Sequence, residues 1–285
     1  MLRSMFSAVS GLRAHQTMMD VTGNNVANVN TTGYKASRTT FQETLTQLER
    51  GGTAGDDGGV PAELGEAAGG QNPMQMGLGS QVAATDMVFT QGASQNTGRA
   101  TDVAIQGDGF FVVDAGGQEA YTRGGAFSID SAGNLVGPGG ELAMGWNGEP
   151  GTFDPETDDL EVLNFDPEDY TDISIGADGM VTGRNEDEEL EELGQMAMAR
   201  FPNVEGLERQ GNGLFLDSPA SGDAIIDAPG ENGLGTLQAG TLEMSNVDLA
   251  QEFTNLILSQ RGFQANSRTI TTSDELLQEL VNMKR

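Results

Sequence analysis

The chain has 285 residues, 36% of them apolar, with 41 glycines, one tryptophan and no cysteine, so disulfides and thiolate metal sites are excluded. Lys and Arg total 14 against 43 Asp and Glu, a formal charge of −29, which repels nucleic acid and anionic membranes. That charge sits in the middle: residues 1–50 hold five basic and three acidic side chains, residues 240–285 four and six, and residues 51–239 five and 34. Near-neutral ends suit packing on other protein, while an acidic middle suits water. Its densest part, residues 154–192, has 16 acidic side chains and a single basic one, Arg184. It reads as a solvated face, with a dedicated cation site as the alternative.

The opening MLRSMFSAVSGLRAHQ does not read as a secretory signal peptide, because Arg13 and His15 interrupt any apolar run and no small-residue cleavage site follows. No stretch of 18 apolar residues exists, so no membrane insertion is expected. Residues 1–30 are assigned to an N-terminal helix. Leu2, Met5, Val9, Leu12, Gln16, Met19, Gly23 and Val26 recur at alternating spacings of three and four, the heptad pattern of a helical seam. The next stretch, NNVANVNTTGYKASRTTF, ends that helix. Asn24, Asn25, Asn28, Asn30 and Gly33 accept turn or left-handed conformations, and Tyr34 and Phe41 offer packing anchors. Residues 31–81 then read as an extended strap and glycine-rich loop.

From residue 82 to 241 the pattern is β. Runs such as DVAIQGDGFFVVDAGGQEAYTRGGAFSIDSAGNLV alternate in hydropathy and break at Gly-Gly, Asp-Gly and Ala-Gly-Asn turns, which predicts antiparallel hairpins. A small acidic insertion is placed at about 147–195, where EDEELEEL could make one helical turn. Residues 242–285 form a second helix whose seam is Leu249, Phe253, Leu256, Gln260, Phe263, Ser267, Ile270, Asp274, Leu277 and Val281. Ser245 or Asn246 is the expected cap, Asp248 and Glu252 suit the first turn, and Lys284 and Arg285 suit the last. The predicted class is α+β, with N- and C-terminal helices forming a coiled-coil-like stalk and a central antiparallel β-rich domain. Polar residues dilute both seams, leaving two readings open: an antiparallel pair within one globule, or a stalk that also packs against copies of itself.

No catalytic, cofactor-binding or metal-ligating residue is assigned. His15 is the only histidine and lies in a helical seam. GDGFF at 107–111 lacks the third glycine and the following helix of a nucleotide loop. DPETDDLE at 154–161 lacks the glycine and terminal glutamate of a calcium loop, and GGQEA at 116–120 does not match a calcium β-roll. Carboxylate pairs are too common in the middle for any one to mark a glycosidase.

MFSAVSGLRAHQTMMDVTGNNVANVNTTGYKASR at 5–38 resembles the N-terminal motif of bacterial flagellar rod and hook proteins. LEMSNVDLAQEFTNLILSQRGFQANSRTITTSDELLQELVNM at 242–283 resembles their C-terminal motif, and IQGDGFFVV and YTRGGAFSIDSAGNLV resemble the opening of their β domain. The resemblance implies a non-enzymatic subunit that polymerises helically with itself. The inner-tube contacts would come from Leu2, Met5, Val9, Leu12, Met19, Val26, Leu249, Phe253, Leu256, Phe263, Ile270 and Leu277. It further implies partners among the distal rod, hook cap and hook–filament junction proteins, and passage through the flagellar export apparatus to an extracellular flagellum without a cleavable signal. Asp248-Leu249-Ala250 with the EFTNLILSQRGFQANSRTITTSDELL run, together with Gly145-Trp146, favours hook over distal rod, although the chain is short for a hook subunit. The other readings are distal rod protein and, from another class, a secreted acidic cation-binding or glycan-acting β protein. The charge itself suggests assembly in high salt, where repulsion is screened.

Overall fold

A computed structural model describes residues 2–52, 70–147, 160–165, 170–185 and 189–283. Two helices, α1 (Leu2–Ala27) and α2 (Leu249–Met283), bracket a central antiparallel β-rich region, the α+β organisation expected. The described residues form two compact units. One comprises residues 1–24, 37–86 and 250–285; the other comprises 25–36 and 87–249.

In the first unit, α1 carries no proline, and its last turn tightens as the Asn28 and Val29 amides donate to the Asn25 and Val26 carbonyls. At 35 residues, α2 is about 52 Å long at 1.5 Å per residue. It tolerates the β-branched run Thr269-Ile270-Thr271-Thr272 because the threonine hydroxyls bond back to carbonyls three or four residues earlier, Thr269 to Ala265 at 3.1 Å and Thr272 to Arg268 at 3.0 Å. Among the described residues of 31–81, the expected strap and loop is largely strand. Ser37–Glu43 pairs with Ser80–Met87, and Thr46–Arg50 pairs antiparallel with Met74–Gly77, with Thr46 opposite Gly77 and Gln47 opposite Met76. Most side chains of this ribbon are exposed, so backbone bonds hold the ladder and no buried period marks it in the sequence. Residues 53–69 lie outside the described residues, as do Lys284 and Arg285.

The second unit is built on a 13-stranded sheet. Its main path runs through Thr171–Ile175, Met180–Arg184, Leu190–Met196, Leu142–Asn147, Phe110–Asp114, Glu119–Thr122, Leu214–Leu216 and Glu208–Gly211. Both faces are covered. Phe111 and Val113 join Val103, Ile105, Phe127, Leu135 and Met198 in one core, while Phe110 and Val112 join Tyr121, Trp146, Phe201 and Phe215 in the other. That is why FFVV is continuously apolar rather than alternating. The acidic 147–195 stretch is described only in part. Its residues 190–193, where a helical turn was possible, belong to the strand Leu190–Met196, because Leu193 turns into the first core while Glu192 faces out.

Phe111 is fully buried and meets Phe127 edge-on at 5.3 Å between ring centroids. Phe111→Ala should therefore lower the unfolding free energy by about 3–5 kcal/mol. Urea titration read by the fluorescence of Trp146, the only tryptophan and a buried one, will measure the loss.

Candidate assembly surface and strap anchor

The asparagine-rich stretch does more than stop a helix. Asn25 is buried and accepts a hydrogen bond from the Tyr34 hydroxyl at 3.1 Å, and Asn28 accepts one from Thr31. Gly33 sits at φ +68°, and a Cβ there would lie 2.7 Å from the Gly124 amide nitrogen, so both conformation and space require glycine. Its own amide donates to the Glu243 carbonyl at 2.8 Å.

The following residues are clamped in the same way. The Ala36 amide donates to Asn246 Oδ1, and the Val88 amide donates to the Ala36 carbonyl, both at 2.8 Å. Asn246 is thus a strap ligand and not the helix cap expected of it: its Nδ2 donates to the Val88 carbonyl at 2.7 Å and to the Thr90 carbonyl at 3.2 Å. Arg209 donates to the Lys35 carbonyl at 2.8 Å and lies 4.9 Å over the Tyr34 ring.

At the centre of the anchor, Lys35 Nζ meets Glu243 Oε1 at 2.6 Å, with both side chains 1% exposed. Lys35 also donates to the Thr90 carbonyl at 3.0 Å, and the Gly92 amide donates to Glu243 Oε1 at 2.8 Å. The second carboxylate oxygen accepts from Arg123 at 3.1 Å, and Arg123 donates in turn to the Gly107 carbonyl at 2.6 Å. Burial pulls the Lys35 ammonium below its ordinary pKa, and the adjacent Glu243 opposes that shift. One carboxylate therefore holds two buried cations, each more than a hundred residues away from it in sequence.

The helical unit has a different character. A Cβ on Gly11 would fall 2.6 Å from the Asn266 side chain, and one on Gly262 would fall 2.5 Å from the His15 ring. As the numbering rises along α1 it falls along α2, so the helices are antiparallel and meet through small residues. Ala8, Gly11 and Ala14 are buried on α1, and Ser259 and Ser273 on α2. The expected seam is corrected by about one residue around α2. Leu256, Phe263, Ile270 and Leu277 are half-buried beside the serines, but Leu249 and Phe253 are exposed, since at 100° per residue they lie about a third of a turn from the buried line of Ser259 and Ser273. On α1, Met5, Leu12, Met19 and Val26 are half-buried and Val9 is exposed, while the Leu2 side chain lies outside the described ones. Phe41 is partly exposed and tilts against the His15 ring at 6.2 Å; Asn24 and Asn30 are exposed. Phe6, Ile257, Leu258, Leu276, Leu280, Val281 and Met283 are also exposed apolar side chains, which the predicted seams mostly omitted. Among the described residues no helix is long and apolar enough to cross a membrane.

Three family profiles match in chain order: flagella basal body rod protein at residues 5–35, the flagellar hook protein FlgE/F/G D1 domain at 104–183, and the flagellar basal body rod FlgEFG protein C-terminal region at 238–283. The chain is 44% identical over 286 aligned positions, covering all of both chains, to the flagellar basal-body rod protein FlgG of Bacillus subtilis. The chain belongs to the flagellar rod and hook axial protein family. It is also 38% identical over full length to the flagellar basal-body rod protein FlgG of Borreliella burgdorferi, and 30% identical to that organism's flagellar hook protein FlgE across a longer alignment of 450 positions. Members of this family are structural proteins and not enzymes.

The first and last family matches contain the helical contact and the Lys35 and Glu243 ends of the strap anchor. Lys35, Arg123, Arg209, Glu243 and Asn246 were not singled out by sequence reasoning. Only the rarity of lysine, present twice at 35 and 284, hinted at the first.

Glu243→Gln should leave Lys35 and Arg123 buried without a counter-charge and lower the unfolding free energy by about 3–5 kcal/mol. Lys35→Met, which keeps the Arg123–Glu243 pair, should cost less. Urea unfolding of both variants followed at Trp146 gives the order, and an equal or reversed loss would contradict the anchor.

Proposed function

We propose that this chain is a subunit of the distal rod of the flagellum, polymerising with itself through its terminal helices. The observation that carries self-assembly is the arrangement of apolar side chains on α2. At 100° per residue, the stripe through Leu256, Ser259, Phe263, Ile270, Ser273 and Leu277 faces inward. Phe253 and Ile257 lie roughly a third of a turn to one side of it, and Leu258, Leu276, Leu280 and Met283 a comparable angle to the other, all exposed. Two unlike apolar flanks on one helix suit head-to-tail contacts with two different neighbours, and contacts of that kind generate an open helical assembly.

Rod is favoured over the hook reading by length and by the residues themselves. Relatives named as rod proteins align with the 285 residues end to end, whereas alignment with the hook proteins spreads over 450 and 472 positions. The Gly145-Trp146 pair that pointed to hook has a packing explanation. Trp146 fills the second core, and a side chain on Gly145 would run into the Gln195 carbonyl of the neighbouring strand. Neighbouring axial proteins of the flagellum are the further partners in this reading, reached as unfolded chain through the flagellar export apparatus.

Purified protein at high concentration should form straight tubes in electron micrographs, more readily at high salt, where screening shortens to about 3 Å. Phe253→Glu and Leu280→Glu, placed on the two flanks, should each abolish the tubes while leaving the Trp146 unfolding curve unchanged. Curved tubes would restore the hook reading, and closed dimers would overturn the open assembly.

A further inference from the structure

One carboxylate in the β unit has no evident structural purpose. Glu141 is 6% exposed, yet among the described residues its carboxylate accepts no hydrogen bond and has no cation within 4 Å. A buried carboxylate is normally paired, since desolvation without a partner is costly. This one opens onto a cavity of about 470 Å³ lined by three hairpin turns: Ala115 and Gly116, Gly139 to Glu141, and Gln210 to Asn212, with Leu214.

The surroundings are shaped around that carboxylate. The 137–141 turn closes through the Gly137 amide to the Glu141 carbonyl at 2.8 Å and the Gly140 amide to the Gly137 carbonyl at 3.1 Å. The carboxylate folds back over this turn, one oxygen against Gly137 and the other against Gly139. A Cβ on Gly139 would lie 2.6 Å from Oε2 and 3.6 Å from Asn212 Nδ2. Asn212 itself is held at φ +52°, a left-handed position that brings its side-chain amide to the same place.

No basic residue lines the cavity, and every strong donor it offers to a cation is an oxygen. The two carboxylate oxygens of Glu141 carry the charge; Gln210 and the glycine turns bring neutral amide oxygens to the lining, while Asn212 presents its Nδ2 on the side of the carboxylate. There is no imidazole or thiolate, so the site suits a hard cation. Its volume leaves room for several waters at about 30 Å³ each. A partly hydrated ion with a flexible shell of six to eight oxygens matches that description, which is calcium's habit more than magnesium's.

We propose that this cavity is a weak calcium site with Glu141 as its charged ligand. Among the described residues no three acidic or imidazole side chains gather, so binding rests on one carboxylate and neutral oxygens. Affinity then falls near the weak end of protein calcium sites, about 0.1–1 mM. The formal charge of −29 raises the cation concentration around the whole subunit but does not by itself select this cavity. The site lies within the second unit and does not depend on the assembly reading.

The test is a calcium titration of the full-length chain at constant ionic strength, followed by amide chemical shifts and by thermal unfolding. Saturable shifts are expected at Gly116, Gly139, Gly140, Gly211 and Asn212, together with a rise in Tm, and magnesium should bind at least tenfold more weakly. Glu141→Gln should remove both calcium responses. Absence of saturable shifts at these turns, equal binding of both metals, or unchanged calcium binding in the variant would each overturn the site. The shift map of the unsubstituted protein decides the matter even if the variant does not fold.

Discussion

The β unit depends on a constraint at its two ends: the strap that enters it and the strand that leaves it are tied together by one buried carboxylate. Glu243 holds Lys35 and Arg123 with short, nearly solvent-free contacts, and around them Gly33, Ala36, Arg209 and Asn246 satisfy backbone groups that would otherwise be stranded. Replacing such a cluster with hydrocarbon can leave stability unchanged, so its value lies in specificity. A carboxylate that must meet two cations admits one register of the strap. An apolar plug would tolerate several. A subunit whose two chain ends must leave the β unit at one place gains from that choice.

The helices follow the opposite logic. Where α1 and α2 meet within the chain, glycine, alanine and serine bring the backbones close, and little apolar area is used. The large side chains, Phe253, Ile257, Leu276 and Leu280 among them, are left outside that contact. Apolar surface of this extent is rarely left on a solitary soluble protein. The intrachain contact sets which way the flanks point, and the flanks carry the attraction between copies in the proposed rod. Charge divides the labour too, with near-neutral terminal segments and an acidic middle whose repulsion salt can screen.

Much of this was legible without coordinates. Regular three-and-four spacing marked both helices, because side chains on one helical face recur with that period wherever the face is buried. Short runs broken by glycine turns marked antiparallel hairpins, though not that FFVV would be covered on both sides, and paired terminal motifs marked the axial family. The asparagines and Gly33 announced the end of α1, although only Gly33, at φ +68°, takes a left-handed backbone there. Other features left no periodic trace. The strands Ser37–Glu43, Thr46–Arg50, Met74–Gly77 and Ser80–Met87 are mostly solvent-exposed and held by main-chain bonds that any polar sequence can make, so they read as loop.

Composition and local period thus determined the element types, the neutral ends and the acidic middle, and the terminal motifs carried the family resemblance, since each rests on residues close together in sequence. Only the tertiary structure decided which residues separated by 208 positions, Lys35 and Glu243, would meet. It alone rotated the helical seam onto Gly11 and Gly262, and it alone left Glu141 unpaired among three turns. Long-range electrostatic pairing and the closeness of two backbones are properties of the folded arrangement, and no local pattern encodes them.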